Sequence, residues 1–220
     1  MELYHIHVLG KHDELFKNKE IIIDNNYNNE LYERVMNSNY VVNTSDYPVA
    51  VNAINYYNKE QGFKELGEKD SLSLIISSII SNATSEEIKK ALYDARELLH
   101  NASFMKRELS MEDYRRINEP KKPSRLHSFY ACDDFSISYW ADIIRNGKAA
   151  DIYKIEPIDE PFKTNEQLMP LESASYIESY KEAKKYFNPT FENVTPKTNE
   201  YLIKGKVKIL EKVFEMGNNK

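Results

Sequence analysis

Cysteine is almost absent from this chain, and no apolar stretch is long. One cysteine, Cys132, occurs in 220 residues, so no disulfide can form within the chain, which suits a reducing cytoplasm. The longest apolar run, residues 72–80, is interrupted by serines and falls far short of the roughly 20 residues that span a bilayer. The N-terminus also lacks the basic region of a signal peptide. We therefore expect a soluble, cytoplasmic protein with no membrane partner.

The chain also lacks an excess of positive charge. Its 30 basic residues stand against 35 acidic ones, which gives a net charge of −5. Sequence-independent binding to nucleic acid needs a dense basic face, so a protein partner is favoured over a nucleic acid, although a local basic groove is not excluded by net charge. Zinc-ligand spacings, a Walker loop and G-x-G-x-x-G are missing. His5 and His7 share one strand face, but no third metal ligand has suitable spacing, and no metal site is predicted.

Apolar and aromatic residues are plentiful. The chain is 41% hydrophobic and contains 16 tyrosines and 9 phenylalanines, which is enough for a packed core and argues against disorder. A length of 220 residues corresponds to one domain or to one domain with a sizeable insertion. The composition leaves the oligomeric state open.

Hydrophobic periodicity divides the chain into strands, a helical stretch and a second mixed part. Residues 3–9 alternate strictly and predict a strand, and residues 20–24 predict a second one. From about 47 to 117 the pattern is helical, with cap signals at Asp70-Ser71, Thr84-Ser85 and Ser110. We interpret this stretch as a helical insertion in a single domain that covers residues 1–220.

The second half predicts a further set of strands and helices. Its strands and helices are expected at residues 125–132 (strand), 135–145 (helix stopped by Gly147), 152–158 (strand), 173–187 (helix) and 200–214 (extended, bent at Gly205). The predicted fold class is α+β, with two small, mostly antiparallel sheets that form a split β-core.

Three short segments carry residues suited to chemistry. Tyr4-His5 opens the first strand. Phe129-Tyr130-Ala131 forms another strand and precedes a helix with Tyr139 and Trp140. The third segment is Asn-Glu-Tyr-Leu-Ile at residues 199–203, in which Glu200 stands at the start of a strand. Taken alone, Glu200 could be a solvated surface charge and the aromatic residues could be core.

In this order, the three segments resemble the motifs of the ADP-ribosyltransferase superfamily, in the His-Tyr-Glu branch that includes diphtheria toxin and the poly(ADP-ribose) polymerases. Pro-Ser-Arg-Leu (residues 123–126) and Phe-Lys-Thr-Asn-Glu-Gln (residues 162–167) are similar to an uncharacterised bacterial family within it. The resemblance covers about half of the chain and does not account for the helical stretch. It implies a split two-sheet core with NAD, as a substrate, in the cleft between the sheets.

The resemblance also implies roles for individual residues. Glu200 would stabilise the oxocarbenium-like state that forms when the nicotinamide–ribose bond breaks. His5, as a neutral imidazole, would hydrogen-bond a ribose hydroxyl, next to Tyr4. Phe129 or Tyr130 would stack against the cationic nicotinamide, with Tyr139 as a second aromatic contact.

The match departs from the branch in several places. Residues 126–128 (Leu-His-Ser) stand where small residues are common, so the register between Phe129 and Tyr130 is open by one residue, which would exchange the strand faces. Ser128 could instead correspond to the serine of the Arg-Ser-Glu branch, with Arg125 as a phosphate anchor; Arg125 could equally pair with a carboxylate. Glu166 is the rival catalytic carboxylate, or a contact to NAD. Thr198 stands where arginine-modifying members carry an acid.

The resemblance implies a mono-ADP-ribosyltransferase that transfers ADP-ribose from NAD to a macromolecular acceptor and releases nicotinamide. By analogy, such small enzymes are toxins or effectors of phage conflict. Two alternatives stay open: an NAD glycohydrolase without a specific acceptor, and an inactive NAD-binding or interaction module. The sequence does not identify the acceptor.

Overall fold

The computed structural model describes residues 2–10, 12–36 and 85–217. The chain divides into two compact units, one made of residues 1–38 and 104–220 and the other of residues 39–103. The helix predicted through Ile80 lies outside the described residues. All the candidate site residues belong to the first unit.

In the described ranges the fold is α+β, with two antiparallel sheets and four helices. The larger sheet contains β1 (Leu3–Val8), β4 (Ala150–Pro157), β7 (Gly205–Met216) and β2 (Glu20–Ile23), side by side in that order. The strand predicted from the alternation at residues 3–9 is confirmed as β1. Both of its faces are covered, because Leu3 packs in one apolar cluster and Ile6 packs in another. The strand therefore needs no polar outer face.

The smaller sheet has three strands, β3 (Phe129–Ala131), β6 (Asn199–Ile203) and β5 (Phe162–Asn165), in that order. The central strand β6 is buried at all five positions. The strand predicted over residues 125–132 is shorter than expected, because Ser124 Oγ accepts a hydrogen bond from the Leu126 backbone N–H and starts a 3₁₀ turn at Arg125–His127. A serine that caps the backbone in this way competes with strand pairing.

The two sheets are joined at two places. Tyr4 and Cys132 form an isolated antiparallel bridge, in which each backbone N–H donates to the other residue's carbonyl at 2.9 Å. Lys204 alone separates β6 from β7, and the bend predicted at Gly205 is confirmed. Gly205 has φ of +80°, and a Cβ there would lie 2.1 Å from an Asp159 carboxylate oxygen, so this position needs glycine.

The helices are α1 (Glu30–Met36), α2 (Ser85–Asn118), α3 (Ile137–Arg145) and α4 (Tyr176–Phe187). The cap predicted at Ser110 is wrong: α2 runs through it without a break, and Ser110 Oγ donates to the Tyr176 carbonyl instead. The helix predicted from residue 173 begins at Tyr176, where Ser175 and Glu178 form a capping box.

The core of the first unit lies on both faces of β6. On one face, Leu202 packs against residues of α2 and α4, which are Met111, Tyr114, Ala183, Tyr186 and Phe187. On the other face, Tyr201 and Ile203 pack against Leu3 and Phe129. Strand alternation therefore directs Glu200, two residues before Leu202, towards the helices.

Candidate functional site

Glu200 is buried. It is 3% exposed, so the alternative of a solvated surface charge is wrong. A carboxylate is almost never buried without partners, and Glu200 has two: its Oε1 accepts hydrogen bonds from Arg125 Nη1 at 2.7 Å and from the Tyr186 hydroxyl at 2.5 Å. Arg125 also donates to the Tyr186 hydroxyl oxygen.

Arg125 connects Glu200 to a second buried carboxylate. Arg125 Nε donates to Glu108 Oε2 at 2.8 Å, and Arg107 Nη2 donates to Glu108 Oε1 at 2.9 Å. Arg107 in turn pairs with Glu172 at 3.2 Å. Of the two roles left open for Arg125, the structure shows the carboxylate pairing; a phosphate contact stays a prediction.

In this ion-pair network, two arginines, Arg107 and Arg125, contact three carboxylates, which are Glu108, Glu172 and Glu200. Burial raises the pKa of Glu108, but the charges of Arg125 and Arg107 outweigh burial and hold that pKa below its usual value. Burial likewise raises the pKa of the Tyr186 hydroxyl well above its usual value, so it stays a proton donor.

His5 sits on the first strand in an aromatic stack. Its ring lies 4.0 Å from the Phe129 ring and 5.2 Å from the Phe16 ring, centroid to centroid. Its Nδ1 is 2.7 Å from the Tyr130 carbonyl oxygen; because a carbonyl only accepts, Nδ1 is the protonated nitrogen. Burial, with a smaller contribution from His7, lowers the pKa of His5 to about 4. The ring is therefore neutral at pH 7, with an unprotonated Nε2.

The two candidate aromatic residues of the second motif lie on opposite faces of β3. Phe129 is 1% exposed and belongs to the core between the sheets. Tyr130 lies opposite Leu202 and shares the strand face of Glu200. Its hydroxyl donates to the Arg125 carbonyl at 3.0 Å, and the Arg125 guanidinium carbon lies 5.5 Å from its ring centre.

One cleft of about 510 Å³ brings most of the predicted residues together. The predicted site residues that line it are Tyr4, His5, Arg125, Ser128, Tyr130, Glu166 and Glu200. Phe129 and Tyr139 are not among the lining residues. Tyr139 instead donates its hydroxyl to Glu166, on the turn after β5, while its neighbour Trp140 lines the cleft and donates Nε1 to the Asn199 carbonyl at 2.7 Å.

Sequence reasoning missed Glu108, Arg107 and Tyr186. Helical spacing held a signal for two of them. Glu108 lies three residues before Met111, on the buried face of α2, and Tyr186 lies three residues after Ala183, on the buried face of α4. A charged residue in phase with a buried helical face indicates a buried partner.

Family membership follows from the whole folded region. A family model described as protein of unknown function (DUF2441) matches residues 3–215. The chain belongs to the DUF2441 family. No curated protein matches it. The DUF2441 match spans β1, β3 and β6, so the strands that carry His5, Tyr130 and Glu200 lie within the matched residues.

Three further properties concern the described residues of this DUF2441 member. Among them, no three His, Cys, Asp or Glu side chains are grouped so that they could hold a metal ion. No helix in the same ranges is long and apolar enough to cross a membrane. Burial, followed by the charge of Asp133, raises the pKa of the Cys132 thiol to about 12, so this thiol does not supply a thiolate nucleophile at pH 7.

Proposed function

We propose that this protein binds NAD in the cleft, cleaves the nicotinamide–ribose bond and transfers ADP-ribose to a macromolecular acceptor. One observation carries the proposal: His5, on the larger sheet, and Glu200, on the smaller one, line the same cleft. The proposal includes a fold of the ADP-ribosyltransferase type, and the split pair of antiparallel sheets supports it.

Glu200 would stabilise the positive charge that develops on the ribose. Its Oε1 accepts the hydrogen bonds of both Arg125 and Tyr186. Its Oε2 accepts no hydrogen bond from the described residues and is not fully shielded from solvent. Oε2 is therefore the oxygen that is open to a ligand. A fixed carboxylate in a site that excludes water stabilises an oxocarbenium-like state without reorganisation.

His5 would hold a ribose hydroxyl. Because its Nδ1 donates to the Tyr130 carbonyl and its pKa is about 4, Nε2 is an acceptor throughout the neutral pH range. A hydroxyl donor of the ribose satisfies this acceptor, which orients the sugar with respect to Glu200.

The aromatic lining suits the nicotinamide ring. Tyr130 and Trp140 both line the cleft, and hydrogen bonds at their polar atoms fix both side chains. A cationic ring stacked on such a face gains cation–π attraction. The cleft volume of about 510 Å³ falls within the roughly 300–1,000 Å³ range of small-molecule sites.

The acceptor would be a macromolecule, with a protein favoured over a nucleic acid because the chain carries a net charge of −5. The proposed role in the cell is that of a toxin-like or phage-conflict effector that acts in the cytoplasm. This part of the proposal rests on the motif resemblance.

NAD labelled in its adenylate phosphate tests the reaction. We expect the purified protein to release nicotinamide and, with cell extract present, to transfer label to a macromolecule that survives denaturing electrophoresis. Nuclease and protease treatment then identify the acceptor class. The matched control is Glu200→Gln, which should transfer about 10²–10³-fold less label. If free ADP-ribose forms and no macromolecule is labelled, the protein is an NAD glycohydrolase and not a transferase. If NAD stays intact, the protein is at most an NAD-binding module.

A further inference from the structure

Tyr186 carries a buried hydroxyl that has no role in the proposed reaction as described so far. The residue is fully buried on α4, and its ring packs against Phe187 and the apolar side of β6. Its hydroxyl nevertheless points away from this apolar cluster, into the ion-pair network, where it donates to Glu200 Oε1 at 2.5 Å. A phenylalanine would fill the same apolar space, so the hydroxyl needs an explanation of its own.

The hydroxyl decides which oxygen of Glu200 is free. Arg125 Nη1 and the Tyr186 hydroxyl both bind Oε1. An arginine opposite a carboxylate can otherwise bind both oxygens in a bidentate fork. Here Arg125 Nε donates to Glu108 Oε2, so this nitrogen is not available to Glu200. The second hydrogen bond to Glu200 Oε1 comes from the Tyr186 hydroxyl instead. Oε2 is left to the cleft.

The turn that carries Arg125 is itself fixed. Asn29 Nδ2 donates to the Arg125 carbonyl at 2.6 Å and to the Ser128 carbonyl at 2.8 Å, and the Tyr130 hydroxyl donates to the Arg125 carbonyl as well. Because the arginine has little freedom to follow Glu200, the carboxylate's orientation depends on Tyr186.

We propose that Tyr186 is a positioning residue for Glu200, and that its hydroxyl orients the carboxylate so that Oε2 faces the substrate. This inference rests on the proposed NAD cleavage. Without the hydroxyl, the carboxylate can rotate and bind both terminal nitrogens of Arg125, which Glu108 does not use, and Oε2 would then no longer be available to the ribose.

The test is Tyr186→Phe, measured by nicotinamide release from NAD. We expect kcat to fall by about 10-fold to 100-fold, the size of effect that a small misplacement of a catalytic group produces, while KM for NAD stays within about 2-fold because no contact to NAD is removed. Tyr180→Phe is the control: it deletes a hydroxyl on the same helix that accepts from Asn118 at the surface, and it should keep the wild-type kcat.

A second measurement separates positioning from damage to the fold. In a Glu200→Gln background, Tyr186→Phe should reduce the residual rate no further, since residues that act as a unit are not additive. A further loss in that background, or a wild-type kcat in the single variant, would overturn the positioning role. A wild-type protein that leaves NAD intact would instead overturn the proposed function itself, and the inference with it.

Discussion

The two walls of the cleft hold their key residues by opposite means. On the larger sheet, His5 is neutral and is fixed by stacking between aromatic rings and by one hydrogen bond to a backbone carbonyl. On the smaller sheet, Glu200 is charged and is fixed by Arg125 and Tyr186 within a chain of buried ions. The His5 side chain is positioned by ring stacking, and the Glu200 side chain is positioned by charged and hydrogen-bonding partners.

This difference predicts how strongly each side of the cleft responds to substitution. A stacked neutral ring loses little when a similar ring replaces it, because most of its stabilisation is contact area. A buried charge tolerates the loss of a partner poorly, because the remaining charges are left without compensation in a low-dielectric interior. Substitutions on the Glu200 side should therefore have larger effects than substitutions on the His5 side.

The largest effect is expected for Glu108→Gln. The substitution keeps the side chain's shape but leaves Arg125 and Arg107 with one carboxylate fewer, and breaking a buried pair in this way costs about 3–5 kcal/mol of unfolding free energy. Urea denaturation measures it. Glu182→Gln is the control, since the exposed pair of Glu182 with Lys185 is worth about 0–1 kcal/mol. Equal losses of unfolding free energy in the two variants would contradict a stabilising role of the buried ion-pair network.

Glu200→Gln should lower NAD cleavage by about 10²–10³-fold, as the loss of a preorganised electrostatic group does. Glu166→Gln is the matched comparison, because Glu166 also lines the cleft and accepts a hydrogen bond from Tyr139. We expect it to retain most of the wild-type rate of nicotinamide release. The reverse ranking would transfer the catalytic role to Glu166.

On the other wall, His5→Phe should have a smaller effect. The new ring can stack on Phe129, but it cannot accept a ribose hydroxyl, so we expect KM for NAD to rise by about 10-fold, the equivalent of one hydrogen bond. Isothermal titration with NAD measures the loss of affinity directly. An unchanged affinity for NAD would show that His5 does not contact the bound NAD.

The most gradual effect is a pH dependence of stability that comes from His5. Its pKa is about 4 in the folded protein and near 6.5 when unfolded, so the unfolded state binds more protons between these values. Stability should therefore fall as the pH drops from about 6.5 towards 4, by at most about 1.4 kcal/mol per pH unit. Urea denaturation from pH 7 to pH 5 should give a shallower slope for His5→Phe than for the wild type. Identical slopes would mean that other groups carry the acid sensitivity.

The sequence predicted the framework of the fold better than its connections. Alternation identified β1, and Gly205 identified the bend between β6 and β7, whereas the helix predicted from residue 173 begins three residues later, at Tyr176. Strand β5 was not predicted, because its Phe-Lys-Thr-Asn has too little apolar character to distinguish it from a loop. The cap at Ser110 failed since a local pattern cannot show that a hydroxyl bonds a distant carbonyl.

The same limit applies to the site. The motifs singled out His5, Arg125, Tyr130 and Glu200, which the structure brings to one cleft. They could not show that Glu200 is buried, because its burial depends on Arg125 and Tyr186, which come from other segments of the chain. Which aromatic of Phe129 and Tyr130 faces the cleft required the strand pairing.

The bridge between Tyr4 and Cys132 bears on how this cleft can change through evolution. The bridge consists of two backbone hydrogen bonds, which any residue other than proline can form, while both side chains line the cleft. The main chain therefore joins the two sheets at this point whatever the side chain at Tyr4, whereas the Cys132 side chain also packs in the apolar cluster that contains Ile6. A different side chain at Tyr4 would therefore change the lining of the cleft while the backbone bridge between the sheets persists.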